Sequence, residues 1–270
     1  MEWKNIYRGL LMGASDVIPG VSGGTIAVLL GIYDRLIEAI NGFFSKDLKK
    51  HLMFLIPLGI GILTAIFLLA GVIEWLFEHY PKQTQFAFLG LIIGVLPFLF
   101  QKSNAKVNFK VPHYLFIIVG VIVVASMAFF NTGEPEAVTH FTTSTYLWLF
   151  ASGFIASSAM ILPGISGSFM LYVIGSYTTI ISAIKNLDIV VIGVVGVAIL
   201  LGIIVMSKII HYFLDHFPFA TYAVVIGMVI GSIFVMFPGW PVNTGEMIFC
   251  ILTFAGGLLF AYLLGRVEYK

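Results

Sequence analysis

The sequence predicts an all-α polytopic membrane protein made of two inverted-topology repeats. Each repeat is expected to hold one Pro-Gly-broken, re-entrant helical hairpin and three transmembrane helices. Three observations carry this expectation. The 270 residues are 60% apolar and only 10% charged, with a mean hydropathy of +1.05, well outside the range of soluble globular domains. A short motif occurs twice, as Pro19-Gly20-Val21-Ser22-Gly23-Gly24 and as Pro163-Gly164-Ile165-Ser166-Gly167-Ser168, and each copy interrupts a long apolar stretch. Around the copies the same residues recur 144 positions apart: Gly9 with Gly153, Gly31 with Gly175, Tyr33 with Tyr177, and Ala39-Ile40 with Ala183-Ile184. Backbone-exposing breaks at matching places in two halves point to a binding site at the repeat interface.

The chain reads as one transmembrane domain over 1–270, with repeat one at 1–130, a linker at 131–145 and repeat two at 146–270. Residues 1–8 are a short basic lead. No secretory signal is expected, because only a few apolar residues follow Lys4 and Arg8. Residues 9–18 fall short of the about 20 needed to span a bilayer core, so 9–18 and 22–41 are expected to enter and return as a hairpin. Spans are expected at 52–77, 85–100 and 112–130. The linker is polar and carries Gly133 and Pro135, as a boundary between halves should. The second half repeats the plan, with a broken segment over 146–184 and spans at 189–207, 219–237 and 247–264. Its first arm, 146–162, is long enough to span alone.

A second register supports duplication. His79-Tyr80-Pro81, Thr84 and Gly90…Gly94 match His216-Phe217-Pro218, Thr221 and Gly227…Gly231 at an offset of 137. Both glycine pairs are G-x-x-x-G, a spacing that lets helices approach closely in lipid. The two histidines read as interfacial caps. If each broken segment makes an even number of crossings, 12 of the 14 Lys and Arg residues fall on one side, leaving only Lys82 and Lys185 on the other. Cationic residues favour the cytoplasmic side, so both termini are expected there. Three crossings plus an even hairpin make an odd number. The second half is therefore expected upside down relative to the first.

The motif dictates local chemistry. Proline removes an amide donor and pushes its predecessor out of helical geometry, so Pro19 and Pro163 are expected to break the helix. Ser22 and Ser166 stand where an N-cap would start the next half-helix. The glycines Gly20, Gly23, Gly24, Gly164 and Gly167 open the turn, and amides at Gly23, Gly24, Thr25, Gly167 and Ser168 are expected to face the break. Free N–H groups and positive dipole potential at a helix start suit an anion. Hydroxyls of Ser15, Thr25, Ser157, Ser158 and Ser168 are candidate further donors. A break that only relieves packing is the plainer alternative.

Asp16 is the only acid expected near mid-depth, an expensive placement. It is a candidate for carrying a coupling proton, for pairing with Arg35, or for capping local backbone. Its counterpart in the second half is Met160. Arg35 reads either as an interfacial anchor or as a grip on phosphate, with Glu38 one turn on as its ion-pair candidate. A formal net charge of +1 without a large basic patch argues against nucleic acid. The lone Cys250, and histidines confined to loops and span ends, leave no metal site and no cofactor expected.

Gly20-Val21-Ser22-Gly23-Gly24 formally matches G-x-S-x-G, and G-x-S-G also resembles the nucleophile segment of rhomboid intramembrane proteases. An intramembrane serine hydrolase would need a base within reach of the serine. All six histidines fall away from the breaks, and a duplicated motif suits a symmetric binding site better than one nucleophile.

The first copy extended, from Gly13-Ala14-Ser15-Asp16 through Thr25-Ile26-Ala27 to Gly31-Ile32-Tyr33-Asp34-Arg35-Leu36, resembles one signature of a bacterial and archaeal membrane family. Ile161-Leu162-Pro163-Gly164-Ile165-Ser166-Gly167-Ser168-Phe169 resembles that family's second signature. The chain is identified in this way with the PopT-type undecaprenyl-phosphate translocases, nearly end to end. In that family the acid before the arginine is often Glu, where this chain has Asp34. The resemblance implies return of undecaprenyl phosphate from the outer to the inner leaflet of a bacterial plasma membrane for peptidoglycan and other envelope polymers. Composition and spacing alone support a carrier for an amphiphilic or small anion, such as a soluble organic anion or sulfonate. They leave a lipid-binding scaffold open.

Overall fold

The computed structural model describes residues 2–17, 22–130, 136–138 and 140–268. The first half runs α1 (Lys4–Asp16), α2 (Gly23–Leu29), α3 (Tyr33–Asn41), α4 (Leu48–His79), α5 (Pro81–Lys102), α6 (Ala105–Asn108) and α7 (Val111–Ser126). The second runs α8 (Thr143–Ile161), α9 (Gly167–Ile174), α10 (Tyr177–Lys185), α11 (Ile189–His216), α12 (Pro218–Met236) and α13 (Thr244–Glu268). No strand occurs among the described residues. Seven helices (α4, α5, α7, α8, α11, α12 and α13) are long and apolar enough to cross a membrane. The protein is a polytopic helical bundle.

Apolar side chains are placed as lipid as the solvent requires. Phe67, Val123, Leu200 and Leu252, from four of the long helices, are more than half exposed. The buried core forms instead around the shortest apolar helix. Every residue of α2 is buried, and Ile26 through Leu30 pack with Phe54 and Leu58 of α4, Ile92 and Val95 of α5, and Ile226 and Val229 of α12.

The long helices pair in two matching sets. α1 lies along α4 as α8 lies along α11, while α5 lies along α13 as α12 lies along α7. The first pairing stays within a half, and the second is exchanged between halves. Small residues permit the exchange. A methyl group at Gly90 would collide with the Phe254 carbonyl of α13, and one at Gly227 with the Ile117 carbonyl of α7. The corners also repeat. Tyr80 and Phe217 share φ and ψ of −137°, 52° and −135°, 52° ahead of Pro81 and Pro218. The His79 and His216 rings each meet a carbonyl four residues back, at 3.0 and 2.9 Å.

One expectation is corrected. The arm expected over 22–41 is two helices, because Gly31 adopts φ +66° and ends α2; Gly175, with φ +81°, ends α9 in the same way. Matching 6→1 hydrogen bonds close both turns, Ile32 N–H to Ala27 at 3.0 Å and Ser176 N–H to Leu171 at 2.9 Å. After the second, the chain bends by 110° between α9 and α10. The first residues of α8 fall inside the stretch expected as the linker. Thr142 caps the Thr145 amide at 3.3 Å, so α8 starts at Thr143, and its 19 residues suffice to span alone.

Candidate functional site

The two breaks meet each other. Pro19 and Gly20 lie outside the described residues, but both flanks of the first break and all of the second are described. The Ser22 hydroxyl accepts from the Gly24 amide at 3.1 Å, the expected N-cap. It also lies 3.3 Å from the carbonyl oxygens of Met160 and Leu162, just before the second break. In return, the Gly164 amide donates to the Thr25 hydroxyl at 2.9 Å. Gly164 sits at φ +90°, where a Cβ would stand 2.6 Å from the Met228 carbonyl oxygen of α12. Only glycine fits there. Gly24 is closely packed as well: a Cβ there would stand 3.0 Å from the Ile161 carbonyl oxygen, which would have to give way.

The first half-helix start is not free, contrary to the expectation of open amides at Gly23 and Gly24. Asp16 turns back from the end of α1, and its carboxylate accepts from the Gly23 amide at 2.8 Å. Ser22 holds Gly24. A carboxylate therefore already occupies the place where a helix start would hold an anion. Of the three readings of Asp16, the structure contains the backbone cap; Arg35 instead pairs with Glu2.

The second start differs. Met160 occupies the Asp16 position, with its Cβ 3.2 Å from where a Cβ on Gly167 would be. Ser166 makes no side-chain cap to the α9 backbone, and its hydroxyl pairs with that of Ser168 at 2.9 Å. No residue of α9 is buried.

Three expected donors point elsewhere. Ser15 donates to the Met12 carbonyl at 2.6 Å and Ser157 to Phe154 at 3.1 Å, each within its own helix. Ser158 donates to Gly202 of α11 at 3.3 Å. Their hydroxyls serve helix packing rather than the break.

Arg35 lines a second feature, a charged pocket of about 500 Å³ between α3, α4 and α11. Glu38 bonds Lys50 there at 3.0 Å, not Arg35, and His211 lies 3.3 Å from Asp215. The Arg35 guanidinium stacks over the Phe54 ring at 5.2 Å. Next to it, Asp34 accepts from the Tyr222 hydroxyl at 2.7 and 2.9 Å and from Lys102 at 2.8 Å. This clamp ties α3 to α5 and α12. Sequence reasoning left Asp34 without a role and passed over Lys50, Lys102, His211 and Tyr222. The repeats offer no signal for residues 68 and 188 positions from Asp34. At the same end, Arg8 pairs with Glu268 at 2.6 Å, so the first and last helices come together there.

Among the described residues no group of His, Cys, Asp and Glu side chains is placed to hold a metal ion. No solved structure matches the chain. A polyprenyl-phosphate transporter of Staphylococcus aureus (strain NCTC 8325 / PS 47) is 42% identical over 274 residues, covering 98% of this chain and 97% of its own. A polyprenyl-phosphate transporter of Vibrio cholerae serotype O1 (strain ATCC 39315 / El Tor Inaba N16961) is 36% identical, covering 92% of this chain and 84% of its own. The model of a family described as undecaprenyl phosphate translocase-like matches residues 12–248. With that match running over most of its length, and through both breaks, the chain belongs to the undecaprenyl phosphate translocase-like family.

Proposed function

We propose that this protein is a lipid-carrier translocase that returns undecaprenyl phosphate, or a related polyprenyl phosphate, from the outer to the inner leaflet of a bacterial plasma membrane. The carrier then becomes available again for peptidoglycan and other envelope polymers. The observation that carries the reading is the mutual engagement of two helix breaks, Ser22 with Leu162 and Thr25 with Gly164, inside a bundle of membrane-length helices. The names of the two relatives supply the substrate class.

In this reading the halves are inverted repeats, both termini are cytoplasmic, and the hairpins approach from opposite sides. The Arg8–Glu268 pair, which brings the first and last helices to one end, supports that arrangement, as does the cation asymmetry. The phosphate crosses between the hairpins while its tail stays in lipid. Amides at Gly167 and Ser168, with the Ser166 and Ser168 hydroxyls, hold it first, because no carboxylate stands there. Passage to the first hairpin requires Asp16 to leave Gly23, and protonation of Asp16, by removing its charge, loosens that bond. The proton is thus the coupling ion of this scheme. Arg35 in the charged pocket receives the phosphate on the cytoplasmic side.

The test is reconstitution of the purified chain in liposomes, with translocation of a polyprenyl phosphate followed against the matched alcohol and pyrophosphate. Phosphate-selective movement, lost when Ser166 and Ser168 are both changed to alanine, is expected. Equal movement of phosphate and alcohol, or movement only of soluble organic anions, overturns the reading.

A further inference from the structure

A lateral groove of about 530 Å³ opens between α7, α11 and α12. Its outer lining is apolar and exposed: Phe116, Phe213 and Phe217 are 41%, 46% and 52% accessible. Its inner lining comes from the two hairpins, through Tyr33 and Leu162, the residue before Pro163. The Tyr33 side chain is 1% exposed, and its hydroxyl has no hydrogen-bond partner. A buried hydroxyl left unpaired is unfavourable, so a ligand that answers it gains by doing so. The other hydroxyl of the groove, on Thr221, is already bonded to the Phe213 and Phe217 carbonyls. A groove with an apolar, aromatic mouth, and with the unanswered Tyr33 hydroxyl buried behind its inner wall, fits a molecule with an apolar tail and a polar head.

The same groove is built a second time. Leu76, Tyr80, Thr84 and Ala87 line a cavity of about 580 Å³ beside α13, each 137 positions before Phe213, Phe217, Thr221 and Val224. Thr253 stands there as Phe116 does here, again 137 positions away. Among the described residues no hairpin residue lines this second cavity itself, and Tyr177, the counterpart of Tyr33, is not part of it. An adjoining cavity of about 470 Å³, which shares Ala87, Phe88 and Thr253 with it, carries this second groove on to Ser15 and Ile26 beside the first break.

Resting on the polyprenyl-phosphate reading, we propose that the groove between α7, α11 and α12 seats the head-proximal isoprene units of the transported lipid, with the buried Tyr33 hydroxyl donating to its phosphate. A volume near 500 Å³ falls within the ordinary range of about 300–1,000 Å³ for small-ligand sites, so most of a long polyprenyl tail remains in the bilayer. Binding in this groove commits the head to the side of Leu162, next to the second break.

The experiment measures the affinity of the full chain in nanodiscs for farnesyl phosphate and for dimethylallyl phosphate, which differ only in tail length. Val224→Trp, which fills the groove, is expected to weaken farnesyl phosphate by roughly tenfold and leave dimethylallyl phosphate unchanged. Tyr33→Phe is expected to weaken both. If Val224→Trp fails to elute as a folded, monodisperse species, Ala220→Phe blocks the same groove and is judged by the same criterion. Unchanged farnesyl phosphate affinity in a folded blocking variant overturns the tail site while leaving the transport reading intact. Displacement of farnesyl phosphate by an equal concentration of dioleoyl phosphatidate also overturns it, because the groove would then be a general lipid seat. Wild-type protein that binds neither prenyl phosphate overturns the transport reading itself.

Discussion

The two broken segments share a motif and a register, yet they sit in different surroundings. α2 is buried along its whole length, whereas α9 has no buried residue. Two substitutions between the copies account for the contrast. Where the first has Asp16, the second has Met160; where the first has Gly24, the second has Ser168. Asp16 closes the start of α2 from within, and Gly24 lets the Ile161 backbone close in from the other hairpin. Met160 offers no cap, and Ser168 keeps a side chain because nothing presses on α9 as closely. A duplicated element need not hold two equal sites. Here one copy is locked into the core by its own acid and the other is left available, the asymmetry a carrier needs if one half moves while the other anchors.

The sharpest way to break this comparison is to give the second copy the first copy's acid. Met160→Asp places a carboxylate beside Gly167, where it competes with any bound phosphate at the α9 start. Affinity for a polyprenyl phosphate is expected to fall by tenfold or more, read by binding in nanodiscs. Affinity at wild-type level would mean that the α9 start does not hold the phosphate.

The reciprocal change is Asp16→Asn. Asparagine keeps an oxygen for the Gly23 amide, so the fold is expected to survive, but the charge is gone. In the wild type, lower pH protonates Asp16 and weakens its hold on Gly23, so translocation is expected to quicken as pH falls. In Asp16→Asn that response is expected to flatten, with a several-fold lower rate at the wild-type optimum. A variant that stays pH-responsive at near-normal rate removes Asp16 from coupling.

Much of this was legible in the sequence because it depends on local geometry. The Ser22 cap, the Pro163 break, the close-packed Gly90 and Gly227, and the repeated His-aromatic-Pro corners all follow from residue type and spacing. The second turns at Gly31 and Gly175 were visible as a repeated pair, but positive φ is a property of the fold that glycine permits without announcing. Where Ser15 and Ser157 turn was not legible, because a helical serine can satisfy itself on its own backbone, and Ser158 bonds a carbonyl of a distant helix, α11. The Asp34–Tyr222–Lys102 clamp and the exchange of α5 and α12 between halves join residues far apart in sequence. Only packing decides them.

A smaller effect tests how far the anchoring depends on contact between the hairpins. Thr25 is 1% exposed, and its hydroxyl accepts the buried Gly164 amide. Thr25→Val removes that acceptor at nearly constant volume and is expected to lower stability by about 1–3 kcal/mol, read as a drop in melting temperature in detergent. Ser168, half-buried and bonded only to Ser166 among the contacts at the second start, gives the control: Ser168→Ala is expected to leave the melting temperature within the scatter of surface changes, about 0.5 kcal/mol.

The smallest contrast is expected where the two copies are alike. Gly31 and Gly175 both end a half-helix in the left-handed region, at φ +66° and +81°, with the same pair of turn hydrogen bonds. Placing a Cβ in that conformation costs roughly 1–2 kcal/mol per residue. Gly31→Ala and Gly175→Ala are therefore expected to destabilise by similar amounts, although one turn follows a buried helix and the other a half-buried one. Parallel melting curves for the two variants would show that the copies share their backbone plan and differ only in what packs against it. A loss confined to Gly31→Ala would mean that burial, rather than the turn itself, demands the glycine, and that the second turn has room to relax.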